Sequence, residues 1–184
     1  MHEQLLRIQA EQREAADART AEYIATENVS LACREGCDYC CYLRVEAYRL
    51  EASAIVDYIR RTFTEKQTAD LRARLEKHVD IVDDMTVEQH RTRNIPCPLL
   101  ADSRCSVYPM RPLACRSYTS LHVRSCKYSF KNPRDMKESR PKNAGLERLW
   151  DEEREIQRLG FGATGQHPYE LGSILLSEVN REFP

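Results

Sequence analysis

The sequence predicts a mainly α fold, a small helical domain whose helices surround an irregular cysteine-rich core. Three observations predict it. Apolar residues recur at helical spacing in several segments, no alternating strand pattern of useful length is present, and all eight cysteines fall within 33–126, in two groups flanked by turn residues.

Taken in order, residues 2–26 read as a charged helix with a weak apolar stripe of Leu5, Ile8, Ala15 and Tyr23. A Cys-rich segment follows at 33–41. Residues 46–63 place Leu50, Ala54, Ile55, Tyr58 and Ile59 on one helical face. Thr64 and Gln67 spell a capping box that opens a long helix over 65–90, with Leu71, Leu75, His78, Val79 and Val82 facing inward. Residues 94–128 carry Pro96, Pro98, Pro109 and Pro112 and read as loop and short turns. The basic, polar stretch 129–145 leads into a helix at 145–159 bearing Leu146, Leu149, Trp150 and Ile156. The segment from Gly160 to Gly165 breaks that helix. Pro168 suits the first turn of a last helix that buries Leu171, Ile174, Leu175 and Val179.

At 184 residues the chain is one domain's length, 1–184, divided into a cysteine-cluster region at 33–126 and a helical C-terminal extension at 127–184. Its 41% hydrophobic content can form a core without disulfides. A net charge of -1 supplies no global field for nucleic acid or an anionic membrane. No apolar run marks a secretory signal or a membrane span, so a cytoplasmic location, with reduced thiols, is expected. Buried cysteines acting as small hydrophobes would be scattered, and these are grouped.

The first group is Cys33, Cys37, Cys40 and Cys41. Thiolates bind borderline and soft metals, and Cys37-x2-Cys40 has the spacing with which a local turn presents two of them to one ion. Gly36 frees the backbone for that turn. Adjacent side chains normally diverge, so Cys40 and Cys41 are expected to serve two sites, or one of them to stand behind the other. The second group is Cys97, Cys105 and Cys115, followed by Cys126, in a loop stiffened by proline. Eight thiolates suffice for two four-coordinate zinc sites, or for one iron–sulfur cluster with thiols to spare. Arg34, Arg44, Arg104, Arg111, Arg116 and Lys127 are close enough in sequence to offset their charge.

The pattern C-x3-C-x2-C-C, then C-P-L-L, then C-S-V-Y-P-x-R-P-x-x-C-R, resembles the YkgJ-type cysteine-cluster family, described as a zinc- or iron-chelating domain. On that resemblance Cys33, Cys37, Cys40, Cys41, Cys97, Cys105 and Cys115 are family cysteines, and Cys126 resembles a later one at looser spacing. Tyr108, Arg111, Pro112 and Arg116 fall on its Y-x-x-R-P-x-x-C-R segment. The resemblance implies metal binding and no defined activity. One relative, flagellin lysine methylase, carries a similar cluster and methylates protein lysines.

Other features compete with bland readings. Cys33-x3-Cys37-x-Tyr39-Cys40 also matches the radical S-adenosylmethionine signature, but that chemistry needs a β/α barrel longer than this chain, and no βα alternation follows. His122 is a candidate ligand in place of a cysteine, and a solvated histidine is the favoured alternative. His78 reads as a core-edge residue, and nothing assigns His90. Asp83-Asp84 reads as a solvated helix face. The basic stretch from Lys127 to Lys142 mixes in aromatics, yet the chain as a whole is not basic, so nucleic acid is a disfavoured partner. Gly160-x-Gly162-x-x-Gly165 lacks the preceding strand that a dinucleotide fingerprint requires.

The leading expectation is therefore a metal-binding protein holding zinc or iron, or an iron–sulfur cluster, through its cysteines. A metal-dependent enzyme with an open coordination position, such as an iron–sulfur protein methyltransferase, is the first rival, and a metal-delivery protein the second. The metal ion is the one partner the sequence supports. It points to no membrane and to no particular protein partner.

Overall fold

The computed structural model describes residues 2–135, 140–162 and 165–184. The described residues are mainly helical, as expected. Among the described residues there are eight α-helices and four two-residue strands.

The core is three helices. α2 (Arg49–Thr62) and α3 (Glu65–Val82) both pack on α8 (Leu171–Glu182). Ile55 and Ile59, Leu71 and Leu75, and Leu171, Ile174, Leu175 and Val179 meet there, all buried. Each such side chain stabilises the fold by about 1.5–3 kcal/mol. Leu99 and Val107, from the loop between the cysteines of the second group, enter the same core and pin that loop to it. The predicted inward faces of the second, third and last helices are thus borne out, with Tyr58 and Val79 only half-buried. Because α8 lies between α2 and α3, the C-terminal residues are integral to the core.

A second, smaller core joins α1 (His2–Thr26) to α7 (Ala144–Gly162) through Ala16, Leu146 and Trp150. The predicted stripe on α1 is not its buried face: Leu5, Ile8 and Ala15 are exposed, and Ala16 is the buried residue. Tyr23 donates its hydroxyl to Asn143 Oδ1 at 3.0 Å. Gly145 permits this contact, since a Cβ there would lie 1.8 Å from the Tyr23 oxygen. Ile156 is exposed as well.

Several boundaries differ from expectation. The Thr64–Gln67 capping box is present, but α3 stops at Val82 instead of running to residue 90. A second box, with Thr86 Oγ1 accepting the Gln89 amide at 3.2 Å, starts the short α4 (Val87–Arg91). Glu46–Ala47 is not helical; it forms β1, antiparallel to β4 (Tyr169–Glu170). Pro168 precedes β4 and lies outside the last helix, whose cap is Glu170. α7 continues through Gly160 and Gly162, so the break comes later, and residues 163–164 of the glycine-rich segment lie outside those described.

The stretch 94–128 is more ordered than a loop. β2 (Leu100–Ala101) and β3 (Arg104–Cys105) form a hairpin whose two turn residues, Asp102 and Ser103, both have positive φ. A 3-10 turn at Tyr108–Met110, α5 (Leu113–Arg116) and α6 (Val123–Lys131) follow. α6 extends into the stretch expected to be polar linker, of which residues 136–139 lie outside those described. No helix among the described residues is long and apolar enough to cross a membrane.

Candidate metal centre

All eight cysteines line one cavity of about 80 Å³. That is several times the space one water needs. All eight are free thiols. Cys33 is exposed, and the other seven are partly covered.

Local structure explains how they converge. Gly36, at φ +84°, turns the chain so that the Cys37 amide donates to Arg34 O at 3.1 Å. A 3-10 turn at Tyr39–Tyr42 carries Cys40 and Cys41, and the Cys41 amide donates to Asp38 O at 2.8 Å. The two groups are joined where the Cys97 amide donates to Cys41 O at 2.7 Å. Phe130 of α6 packs edge-on against Tyr39 and Tyr42, at 5.8 and 4.8 Å between ring centroids. That contact seats α6, and with it Cys126, on the first group. The Ser120 amide donates to Cys33 Sγ at 3.3 Å while its carbonyl accepts the Ala32 amide at 2.9 Å. Cys105 comes from β3 and Cys115 from α5.

The thiols also affect one another's ionisation. Cys33 and Cys37 sit in the field of Cys126 and Cys40. Cys41 and Cys115 are both in the field of Cys97 and Cys105. Cys40 is in the field of thiols from both segments. Burial pushes the Cys97 thiol up to about 12, and raises Cys33, Cys37, Cys105 and Cys115 above the ordinary thiol value. Cys40 differs. A hydrogen bond from the neighbouring Cys41 thiol holds it down, to about 7, and the same bond drives Cys41 well up. Both thiols sit on the 3-10 turn at Tyr39–Tyr42. Cys40 is the thiol poised to ionise near neutral pH.

The basic residues separate in role. Arg34 and Arg111 line the cavity, and the Arg111 charge favours the ionised Cys40, Cys105 and Cys115. The Arg111 guanidinium rests over the Tyr108 ring, 3.7 Å from its centroid. Arg116 faces away: its side chain donates to Arg111 O at 2.7 Å, to Pro109 O, and to Asp17 Oδ1 at 2.6 Å. Arg116 therefore braces the loop. Arg44, Arg104 and Lys127 do not line the cavity, and neither does His122, which is exposed. In the basic stretch, Arg140 and Lys142 are paired with Glu147. Asp83 and Asp84 are exposed.

One cluster was missed from the sequence. His78, His90 and Glu170 place a potential ligand atom each within 4.8 Å of one another. His78 and His90 belong to neighbouring helices, but Glu170 is far along the chain, so only a signal spanning that distance could have found the set.

A family model described as "CxxCxxCC: Putative zinc- or iron-chelating domain" matches residues 32–144, a span that contains all eight cysteines. No curated protein and no solved structure matches the chain.

Proposed function

The chain belongs to the CxxCxxCC family of zinc- or iron-chelating domains, and from that premise we propose that its eight cysteines hold metal as two adjoining four-thiolate groups. Cys33, Cys37, Cys40 and Cys126 form one, and Cys41, Cys97, Cys105 and Cys115 the other. The observation that carries this reading is the convergence of all eight thiols on one cavity from six separate pieces of local structure. Among the described residues the cysteine sulfurs form no group of three within 4.8 Å of one another, so the two groups would close up as metal binds.

Four thiolates complete a tetrahedral shell, and such closed sites serve structure or storage rather than catalysis at the metal. Among the described residues the loops around the cavity bury Leu99 and Val107 in the main core, with Val45 and Met110 packed against it. Metal would supply the cross-links that apolar burial does not. Cys40 would bind with the least proton loss, Arg34 and Arg111 would offset part of the negative charge, and each further thiol would give up its proton on binding.

Anaerobic purification followed by elemental analysis and a visible spectrum tests the reading. A colourless protein with about two zinc ions per chain supports two closed sites. A brown protein containing iron and sulfide supports a cluster held by the same thiols. A chain that emerges without metal and fails to take up zinc or iron contradicts it.

A further inference from the structure

We propose a second kind of metal site, formed by His78, His90 and Glu170, that binds one divalent first-row transition ion such as zinc or iron(II) through nitrogen and oxygen alone. Glu170 lies outside the span matched by the family model, and no cysteine takes part.

The three residues come from three elements, α3, α4 and the end of β4. Their ligand atoms all lie within 4.8 Å of one another. Both histidines are buried, at 6% and 4% exposure. His78 Nε2 is 3.1 Å from Glu170 Oε1. Metal–ligand bonds of about 2.0–2.2 Å put neighbouring ligand atoms about 3 Å apart, so this separation fits two adjacent positions on one ion.

The hydrogen bonds around the site favour ligation. His78 Nδ1 is 3.3 Å from Pro96 O, which can only accept, so a proton on Nδ1 has a partner there. A backbone carbonyl in that role is the usual way a metal-bound imidazole is oriented. In the tautomer with that proton, Nε2 faces the carboxylate with its lone pair, and a second proton or a metal ion fills the space between them. Glu170 is held on its far side, where Oε2 accepts the Ser173 amide at 2.7 Å and the Ser173 hydroxyl at 3.0 Å. Oε1 is left for His78.

Two further features argue for the ion over the bare proton. His90 faces the same point, with ring centroids 5.9 Å apart, although a simple His78–Glu170 ion pair has no use for a second buried imidazole. Gly172 clears the space: a Cβ there would lie 2.3 Å from His78 Cδ2 and 2.8 Å from Nε2. Two imidazoles and one carboxylate form a set that leaves coordination positions open, unlike a four-thiolate site. The site adjoins the cysteine cavity, since Pro96 precedes Cys97 and Glu170 precedes the cavity residue Leu171.

Cobalt(II) titration of the metal-free full chain under anaerobic conditions tests this. Thiolate-bound cobalt gives intense charge-transfer absorption, whereas nitrogen and oxygen ligands give weak d–d bands alone. Beyond the equivalents that saturate the charge-transfer bands, about one more should add d–d absorption only. In His90→Gln that extra equivalent should vanish while the charge-transfer bands and far-UV circular dichroism stay unchanged. Uptake in the wild type that ends with the charge-transfer bands overturns the proposal, and so does a His90→Gln chain that binds as much cobalt as the wild type. If His90→Gln fails to fold, the wild-type titration alone decides. Failure of the cysteine reading is a different result, the absence of the charge-transfer bands themselves.

Discussion

The Cys97 amide donates to the Cys41 carbonyl across 2.7 Å, and through this bond the two cysteine segments become one structure. The adjacent pair Cys40 and Cys41 sits at that junction, one thiol for each proposed four-thiolate group. The division makes a sharp demand. Cys37→Ser should remove about one of two bound metal ions, and Cys97→Ser the other, by elemental analysis of each variant. Loss of all metal from either variant alone would show a single indivisible centre.

Glu51 ties the helical core to the metal loops. Its Oε1 accepts the Leu113 amide at 2.8 Å, at the start of the helix that carries Cys115, and Oε2 accepts the Tyr48 amide at 2.9 Å. Glu51→Ala strands two amides and should cost about 2 kcal/mol in urea unfolding. It should also speed metal loss to a chelator by loosening Cys115. Unchanged unfolding would mean that the loop is held by other contacts.

The same carboxyl sets a pH dependence. Burial raises Glu51 above its ordinary 4.5, so the folded chain binds this proton more tightly than the unfolded chain does. Its contribution to stability is therefore largest below 4.5, falls as pH rises from there through the raised value, and is level above it. Glu51→Gln should flatten that part of the stability–pH curve. A parallel shift of the whole curve, with its slope intact, would assign the slope to other groups.

Arg111 and Arg116 belong to the same short motif and should fail in different ways. Arg111→Gln removes a positive charge beside Cys40, Cys105 and Cys115, so metal affinity should fall about tenfold in chelator competition, with little change in the fold. Arg116→Gln removes the side-chain bonds to Arg111 O, Pro109 O and Asp17, so unfolding should be easier by about 1–3 kcal/mol. Similar losses of affinity and stability from both would contradict the separation of roles.

Metal removal should act locally. Leu99 and Val107 keep the cysteine loops attached to the main core, while the turns at Gly36 and Tyr39–Tyr42 have no such anchor. Hydrogen exchange after chelation should accelerate at the amides of Cys37, Cys41, Cys97 and Cys115 and leave α2, α3 and α8 protected. Exchange accelerated throughout would mean that the metal holds the whole fold.

Much of this was legible in the sequence, and the exceptions have physical reasons. Local signals sufficed where one element's own face is buried: Leu71 and Leu75, or Ile174, Leu175 and Val179, show their periodicity directly. The early end of α3 was missed because apolar residues continue past Val82. The Thr86–Gln89 capping box that restarts the chain was nonetheless present to be read. Cys40 and Cys41 were expected to serve two sites, or one to stand behind the other, and the 3-10 turn that carries both has no clear sequence mark. β1 and β4 are two residues each, and their pairing, with Glu46 opposite Glu170, depends on how the whole chain returns. The partnership of His78 with Glu170 arises from that return and from nothing local.

The central claim, that all eight thiols hold metal, is tested most directly by counting free thiols anaerobically in the protein as purified, then again after a strong chelator. The account expects few or no reactive thiols at first, and eight per chain once the metal is released. Eight thiols reactive from the outset, in a folded protein that contains neither zinc nor iron, would contradict it.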